Sequence, residues 1–392
     1  MDSMRLPLTL ELARPFLYNP CIMRDEILDW LELSLVPGVG PKTFFRLIDH
    51  FSSARCALDA SASMLRKVPE INGSVIEAIT AGCKVELHKT LQLIEKNGVE
   101  VITFGNPDYP ERLKTIPDPP PIIYVKGALV PGDANAISIV GSRRATHYGK
   151  MAAAKFAEDL GRMGFCIVSG LAYGVDAAAH KGALAGGGRT IAVLGSGVDV
   201  VYPKANQKIY DQIPSSGALI SEFPMGTQPD ARFFPMRNRI VSGLSLGTLV
   251  IEAPRKSGAL ITVRHALDQG REVFAIPGNI FSPYSEGCHK LIKDGAKLVE
   301  NIYDIIEEVE RNLVGIQMTG REDHVEEEVR TPAPMSPNEK KVFNFLSMTP
   351  SHIDEIGETC DLTASQTASS LVTLEIRGLI QQLPGKLFIR RV

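Results

Sequence analysis

Residues 136–164 read AISIVGSRRATHYGKMAAAKFAEDLGRMG, and this stretch decides the fold. AISIV is a short apolar run without alternation, the pattern of a strand buried on both faces. KMAAAKFAEDLGRMG carries its apolar residues at helical spacing. Between them lies GSRRATHYG, a turn that starts on glycine and holds two arginines. The order strand, turn, helix then recurs along the chain. FCIVSG, TIAVLG, ALISEF, GTLVIEA and REVFAIPG are further apolar strand candidates, and SGALITVRHALDQG is another amphipathic helix. Continuous apolar strands alternating with helices predict an α/β domain with a mainly parallel sheet covered on both faces. Ligands of such a sheet gather at the carboxyl ends of its strands.

The flanks differ from this core. Residues 25–80 read as a small helical unit, with Asp25 as a cap for its first helix. Its stretch LSLVPGVGPKTFFRLIDHF (33–51) has a helix-hairpin-helix pattern, in which the turn at Gly38 and Gly40 exposes amides and Lys42 adds charge. The same pattern also serves purely as packing. A proline-crowded strap, NPDYPERLKTIPDPPPIIYVKG, leads into the core as extended chain or turns. The domain boundaries read as 1–98 helical, 99–310 α/β, 311–337 an acidic and proline-containing linker, and 338–392 a last unit. Two helices followed by strands about a PGK turn give that unit a winged-helix shape. Its charges balance, and its second helix, 364–377, offers Arg377 as its one cation, so it fits a protein-contact module as well as a DNA reader. Lys386 and Arg390 on the hairpin are its accessory DNA-contact candidates.

Composition narrows the function classes. The chain has 392 residues, 44% hydrophobic and 22% charged, as in ordinary soluble proteins. Its six cysteines are scattered without a CxxC pair, which argues against a disulfide framework or a zinc site and fits a reducing, cytoplasmic setting. No apolar run reaches about 18 residues, so no membrane helix is expected. No metal or cofactor is expected either, and GxxxxGK[ST] is missing, which argues against ATP use. The net charge of −3 conceals an asymmetry: residues 137–270 hold fifteen Lys or Arg against nine Asp or Glu. A basic central domain in an acidic wrapper suits phosphate recognition.

The candidate site residues sit where strands turn into helices. Gly141 permits a tight turn, Ser142 donates, and Arg143 and Arg144 bring donor forks matched to phosphate. The alternative is a polar turn whose arginines pair with surface acids. Ser169 and Gly170 form a second such turn. Asp176 and His180 follow at i, i+4, a spacing that more often orders a loop than performs catalysis. Lys256, Ser257 and Gly258 mark a third turn at the same sheet edge. ARFFPMRNRIVSGLS (231–245) interleaves Arg237, Asn238 and Arg239 with Phe233 and Phe234. Arginine neutralises phosphate and an aromatic stacks on a base, the usual means of holding a single strand. One phenylalanine is expected to pack inward and the other to face the ligand, and the RNR donors are placed at a helix start.

The order GSRRATHYG, SGLAYGVDAAAH, TIAVLGSGVDVVYP, ISEFP, FFPMRNRIVSGLS, IEAPRKSGALIT, FAIPG resembles the bacterial DNA-processing protein A family, also called Smf, over roughly residues 100–300. The resemblance implies an extended Rossmann-like core that dimerises, binds single-stranded DNA, protects it during natural transformation and loads the recombinase RecA. It implies a phosphate pocket at Gly141, Ser142 and Arg143, ringed by Arg237, Asn238, Arg239 and Lys256, with Phe233 or Phe234 stacking on bases. It also implies a sterile-alpha-motif-like N-terminal unit and no catalytic residue. A second reading is an N-glycosidic hydrolase of related fold, because Gly247, Thr248 and Glu252 of SGLSLGTLVIE match part of a PGGxGT loop and its following acid. A third is a protein scaffold.

Overall fold

A computed structural model describes residues 20–82, 84–314, 335–347 and 350–390. Most of the expected linker, and the N-terminal stretch before residue 20, lie outside the described residues. The chain divides into two compact units, one made of 1–144 with 153–314 and the other of 145–152 with 315–392.

The first unit is built on a nine-stranded sheet. Its strands are β1 (Glu100–Thr103), β2 (Ile122–Gly127), β3 (Ala136–Gly141), β4 (Cys166–Ser169), β5 (Thr190–Val193), β6 (Gly217–Ser221), β7 (Gly247–Ile251), β8 (Glu272–Ala275) and β9 (Lys297–Leu298). They lie in the order β1-β2-β6-β5-β4-β3-β7-β8-β9. From β6 to β9 every pairing is parallel, and β1 and β2 add an antiparallel edge. β2 comes from the proline-crowded strap: the prolines stop at Pro121, just before the apolar run IIYVKG, so the ladder amides are intact.

Side chains alternate between two cores. Tyr124, Ala192 and Leu219 point to one face, while Ile123, Val125, Ile191, Val193, Ala218 and Ile220 point to the other. The first face continues into the N-terminal helices α1 (Pro20–Leu35), α2 (Pro41–Phe51), α3 (Ala54–Leu58), α4 (Ala62–Leu65), α5 (Gly73–Ala81) and α6 (Lys84–Asn97). Trp30, Leu31, Phe44, Leu47 and Leu65 of these helices belong to the same buried cluster as Tyr124 and Leu219. α1 begins at Pro20, so Asp25 lies inside that helix and does not cap it. The second face is covered by α7 (Glu111–Lys114) and by the helices that follow β6, β7 and β8.

The helices after β3 are α8 (His147–Arg162), α9 (Val175–Ala185), α10 (Gln207–Gln212), α11 (Phe233–Gly243), α12 (Ala259–Asp268), α13 (Glu286–Lys293) and α14 (Ile302–Val309), of which α9 and α10 bury Ala177, Ile209 and Tyr210 in the first-face cluster. α11 and α12 bury Ile240, Val241, Leu244, Val263 and Ala266 against the sheet. α11 starts at Phe233, four residues before Arg237, so RNR lies within the helix and not at its start.

In the second unit, α15 (Pro337–Phe345), α16 (Ile353–Cys360) and α17 (Ala364–Ile376) pack with a three-stranded sheet of β10 (Ser351–His352), β11 (Ile380–Leu383) and β12 (Leu387–Arg390). Val342, Ile356, Leu371, Leu374 and Phe388 form its core. Helices capped by a small hairpin are the winged-helix arrangement read from the sequence. Arg390 lies over the Phe343 ring at 3.9 Å, and Lys386 holds a left-handed turn of the hairpin at φ 57°.

Candidate functional site

β3 runs to β4 on one side, while β7 lies on its other side, so strand order reverses between β3 and β7. A cleft of about 830 Å³ opens outside the carboxyl ends of these strands. Such a switch point is where open α/β sheets bind ligands, because the flanking turns diverge there.

The floor depends on glycine. Gly141 ends β3 paired with Ile251, and a Cβ there would run into the Ile251 carbonyl. A Cβ on Gly170 would land on the Arg237 guanidinium. Both positions therefore exclude a side chain so that backbone and arginine meet closely.

Cations form the walls. Arg143, Arg144 and Lys256 are exposed and line the cleft, and none of them has an ion-pair partner among the described residues. The alternative of arginines paired to surface acids is thus not what the turn presents. Ser142 Oγ accepts from Arg144 N at 3.1 Å, which fixes the turn. Ser257 accepts from Ala259 N at 3.3 Å, and Gly258 precedes α12, whose first turn completes this wall. Asn238 also lines it, opposite Gly258.

Arg237 lies deeper. It is 4% exposed and donates from Nη1 to the Gly170 carbonyl at 2.7 Å. Burial pushes its guanidinium down to about 10, with the Asp176 carboxylate opposing that shift. Asp176 is itself raised by burial, against the pull of Arg237. Among the described residues, the buried Nε of Arg237 has no hydrogen-bond partner.

Phe233 and Phe234 separate as adjacent residues must. Phe233 packs on Phe223 at 4.4 Å between centroids and leaves the cleft, whereas Phe234 lines it. Phe234 stacks with Tyr202 at 5.5 Å and 29°, and Arg143 sits 5.2 Å over its ring. Tyr202, 42% exposed, and Tyr284 belong to the cleft wall although their sequence context reads only as loop geometry. Aromatic residues beside proline in the loops after β5 and β8 are the available signal.

Two further expectations need correction. Arg239 does not line this cleft. It is buried, donates from Nη2 to Glu222 Oε2 at 2.5 Å and from Nε to Asp118 Oδ2 at 3.2 Å, and so its charge is spent inside the fold. Ser169 is fully buried and its hydroxyl donates to the Ile139 carbonyl at 2.7 Å, tying β4 to β3. His180 and Asp176 do not pair: His180 meets Thr190 Oγ1 at 2.7 Å. Gly40 and Lys42 line a separate groove that also includes Met236 and Arg239, on the other side of the first turn of α11. Gly38 holds its turn at φ 86°. Glu252, the acid of the hydrolase reading, is buried at φ 51° and is not among the residues lining the cleft.

Comparison with known proteins gives three family-profile matches: DNA recombination-mediator protein A over residues 100–310, a DprA-like N-terminal HHH domain over 24–71, and a DprA winged helix domain over 326–386. The chain is 35% identical over 391 residues to Protein Smf of a Synechocystis species, covering 92% of this chain and 98% of that one. It is 46% identical over 202 residues to the DNA processing protein DprA of Streptococcus pneumoniae, covering 52% of this chain and 71% of that one. The X-ray structure of DNA processing protein A from Streptococcus pneumoniae superposes with a TM-score of 0.64 at 35% identity, covering 71% of this chain and 97% of that chain. Among the described residues, no helix is long and apolar enough to cross a membrane.

Proposed function

The chain belongs to the DNA recombination-mediator protein A family, and from that premise we propose that its cleft holds single-stranded DNA by the backbone, shields it and presents it to RecA. The observation that supports this most is the set of cations Arg143, Arg144 and Lys256, which have no ion-pair partner among the described residues and are grouped around one glycine-floored cleft with Arg237 beneath them. Such groups recognise phosphate without reading sequence. Phe234, backed by Tyr202, supplies a flat face on which any base can stack. The protein acts as a binding module and not as an enzyme, and two copies would extend the track along the strand.

Fluorescence anisotropy with labelled single-stranded and duplex DNA of about 30 nucleotides, across a salt series, tests the reading. Preference for the single strand is expected. Arg143→Ala should weaken binding and reduce the slope of log K against log salt by about 0.7, one phosphate contact on a single strand. Absence of binding at low salt by the folded wild type would overturn it. RecA presentation is checked separately, by whether the protein speeds RecA filament formation on strands already coated by a single-strand binding protein.

A further inference from the structure

The loop between β8 and α13 carries two exposed apolar side chains in succession, Ile280 at 76% and Phe281 at 88% exposure. Full burial of a phenylalanine contributes about 1.5–3 kcal/mol, which this loop forgoes. The loop is nonetheless well ordered by its own hydrogen bonds. Asn279 Oδ1 accepts from Phe281 N at 2.9 Å, and Ser282 N donates to Asn279 O at 3.0 Å. Ser285 N donates to Ser282 O at 3.0 Å, and His289 Nε2 lies 3.0 Å from the Gly278 carbonyl. Phe281 is therefore presented to solvent by a folded turn and is not a frayed end.

The position of the turn gives it a purpose. Pro283 and Tyr284 line the cleft, and two residues of chain span at most about 7 Å, so the Phe281 backbone lies at the cleft's rim. Lys256 is exposed on the same wall, and Arg255 reaches Glu286, at the start of α13, at 3.2 Å. An aromatic face beside cations at the rim of a phosphate cleft is the combination that tracks a single strand.

We propose that Phe281 is a second base-stacking platform, which receives the base of a nucleotide just outside the cleft while Phe234 serves the one within. The inference rests on the single-strand reading of the cleft. Phe281 sets how many nucleotides one protomer engages and adds affinity without adding sequence preference.

The test uses the full chain and fluorescein-labelled oligothymidines of graded length, from about three nucleotides upward, measured beside Arg143→Ala. Phe281→Ala should lose about tenfold in affinity for the longer strands and little for the shortest, which fill only the cleft. Phe281→Leu, apolar but without a stacking face, should not restore it, while Phe281→Trp should. The chain has a single tryptophan, Trp30, which is 9% exposed, so the new indole emission at position 281 should be quenched by long strands alone. Wild-type affinity of Phe281→Ala and Phe281→Leu at every length, with Arg143→Ala impaired, would overturn this inference and leave the cleft reading standing. No binding by wild type would overturn both. Dissociation of a dimer by Phe281→Ala, with unchanged affinity per protomer, would assign the residue to a second copy of the chain and likewise overturn it.

Discussion

His180 shows how one buried side chain fixes its own protonation. Thr190 Oγ1 donates its only hydrogen to the Ile167 carbonyl at 2.7 Å, so His180 Nδ1 must be the donor to that oxygen. Nε2 is then a bare ring nitrogen, buried without a partner among the described residues. Burial, helped by the Arg237 charge, pushes the imidazole down to about 3 from an ordinary 6.5. The unfolded chain takes up a proton below 6.5 that the folded chain refuses. This contribution is present in full above 6.5 and is lost toward pH 3, at about 1.4 kcal/mol per unit. Glu222 and Asp176, raised by burial, act in the opposite sense, so a comparison with a variant isolates the histidine. Between pH 7 and pH 5, urea unfolding of wild type should lose about 2 kcal/mol more than that of His180→Gln. Equal losses would show that the folded ring takes up its proton as readily as the unfolded one. Arg239 gives a second residue-level prediction. Arg239→Ala strands the buried Glu222 and should cost about 3–5 kcal/mol by calorimetry. Its single-strand affinity, measured at a temperature where it is folded, should stay close to wild type. A loss like that of Arg143→Ala would place Arg239 on DNA after all.

α11 is the element that joins stability to binding. Phe234, Arg237, Asn238 and Val241 recur at helical spacing and line the cleft, while Ile240 and Leu244 pack into the core and Arg239 anchors the helix to Glu222 and Asp118. The position of Arg237 depends on the missing side chain of Gly170. Gly170→Ala should push the guanidinium out of place, lowering single-strand affinity while the chain still unfolds cooperatively, since a flexible side chain yields before backbone does. Anisotropy and a thermal melt on one sample check this, and unchanged affinity would mean that Arg237 binds nothing. How the sequence reads depends on what it encodes locally. The apolar runs of β3 to β8 and the turns after β3 and β7 are local patterns, and they are legible. The neutralisation of Arg239 is not, because Asp118 lies 121 positions away and becomes a partner only when the strap folds beside α11. Phe233 and Phe234 look equivalent in the chain, and only the rings of Phe223 and Tyr202 distinguish them. The start of α11 was obscured by Pro235, which is tolerated in a first turn but reads as a breaker.

Across the whole first unit, the sheet is closed on both faces, one of them jointly by the N-terminal helices and by α9 and α10. The helices after β6 and β7 cover one face and also carry cleft residues. The N-terminal helices close the other face over the β2 and β6 side of the sheet, where Ile122, Tyr124 and Leu219 are at most 3% exposed. The boundary at residue 98, drawn where a helical pattern gives way to a strand, therefore crosses a continuous core. Deleting residues 1–98 would remove Trp30, Leu31, Phe44 and their neighbours from this cluster and wet the sheet beneath. Each large apolar side chain so exposed costs about 1.5–3 kcal/mol, and a domain holds only about 5–15 in all, so a handful suffices. A chain of residues 99–392 should accordingly express poorly, bind hydrophobic dyes and lose a cooperative thermal transition for the α/β sheet, even though every cleft residue is retained. Normal single-strand binding by such a chain, with a sharp melt, would show instead that the helical unit is a detachable accessory and that the sheet tolerates an open face.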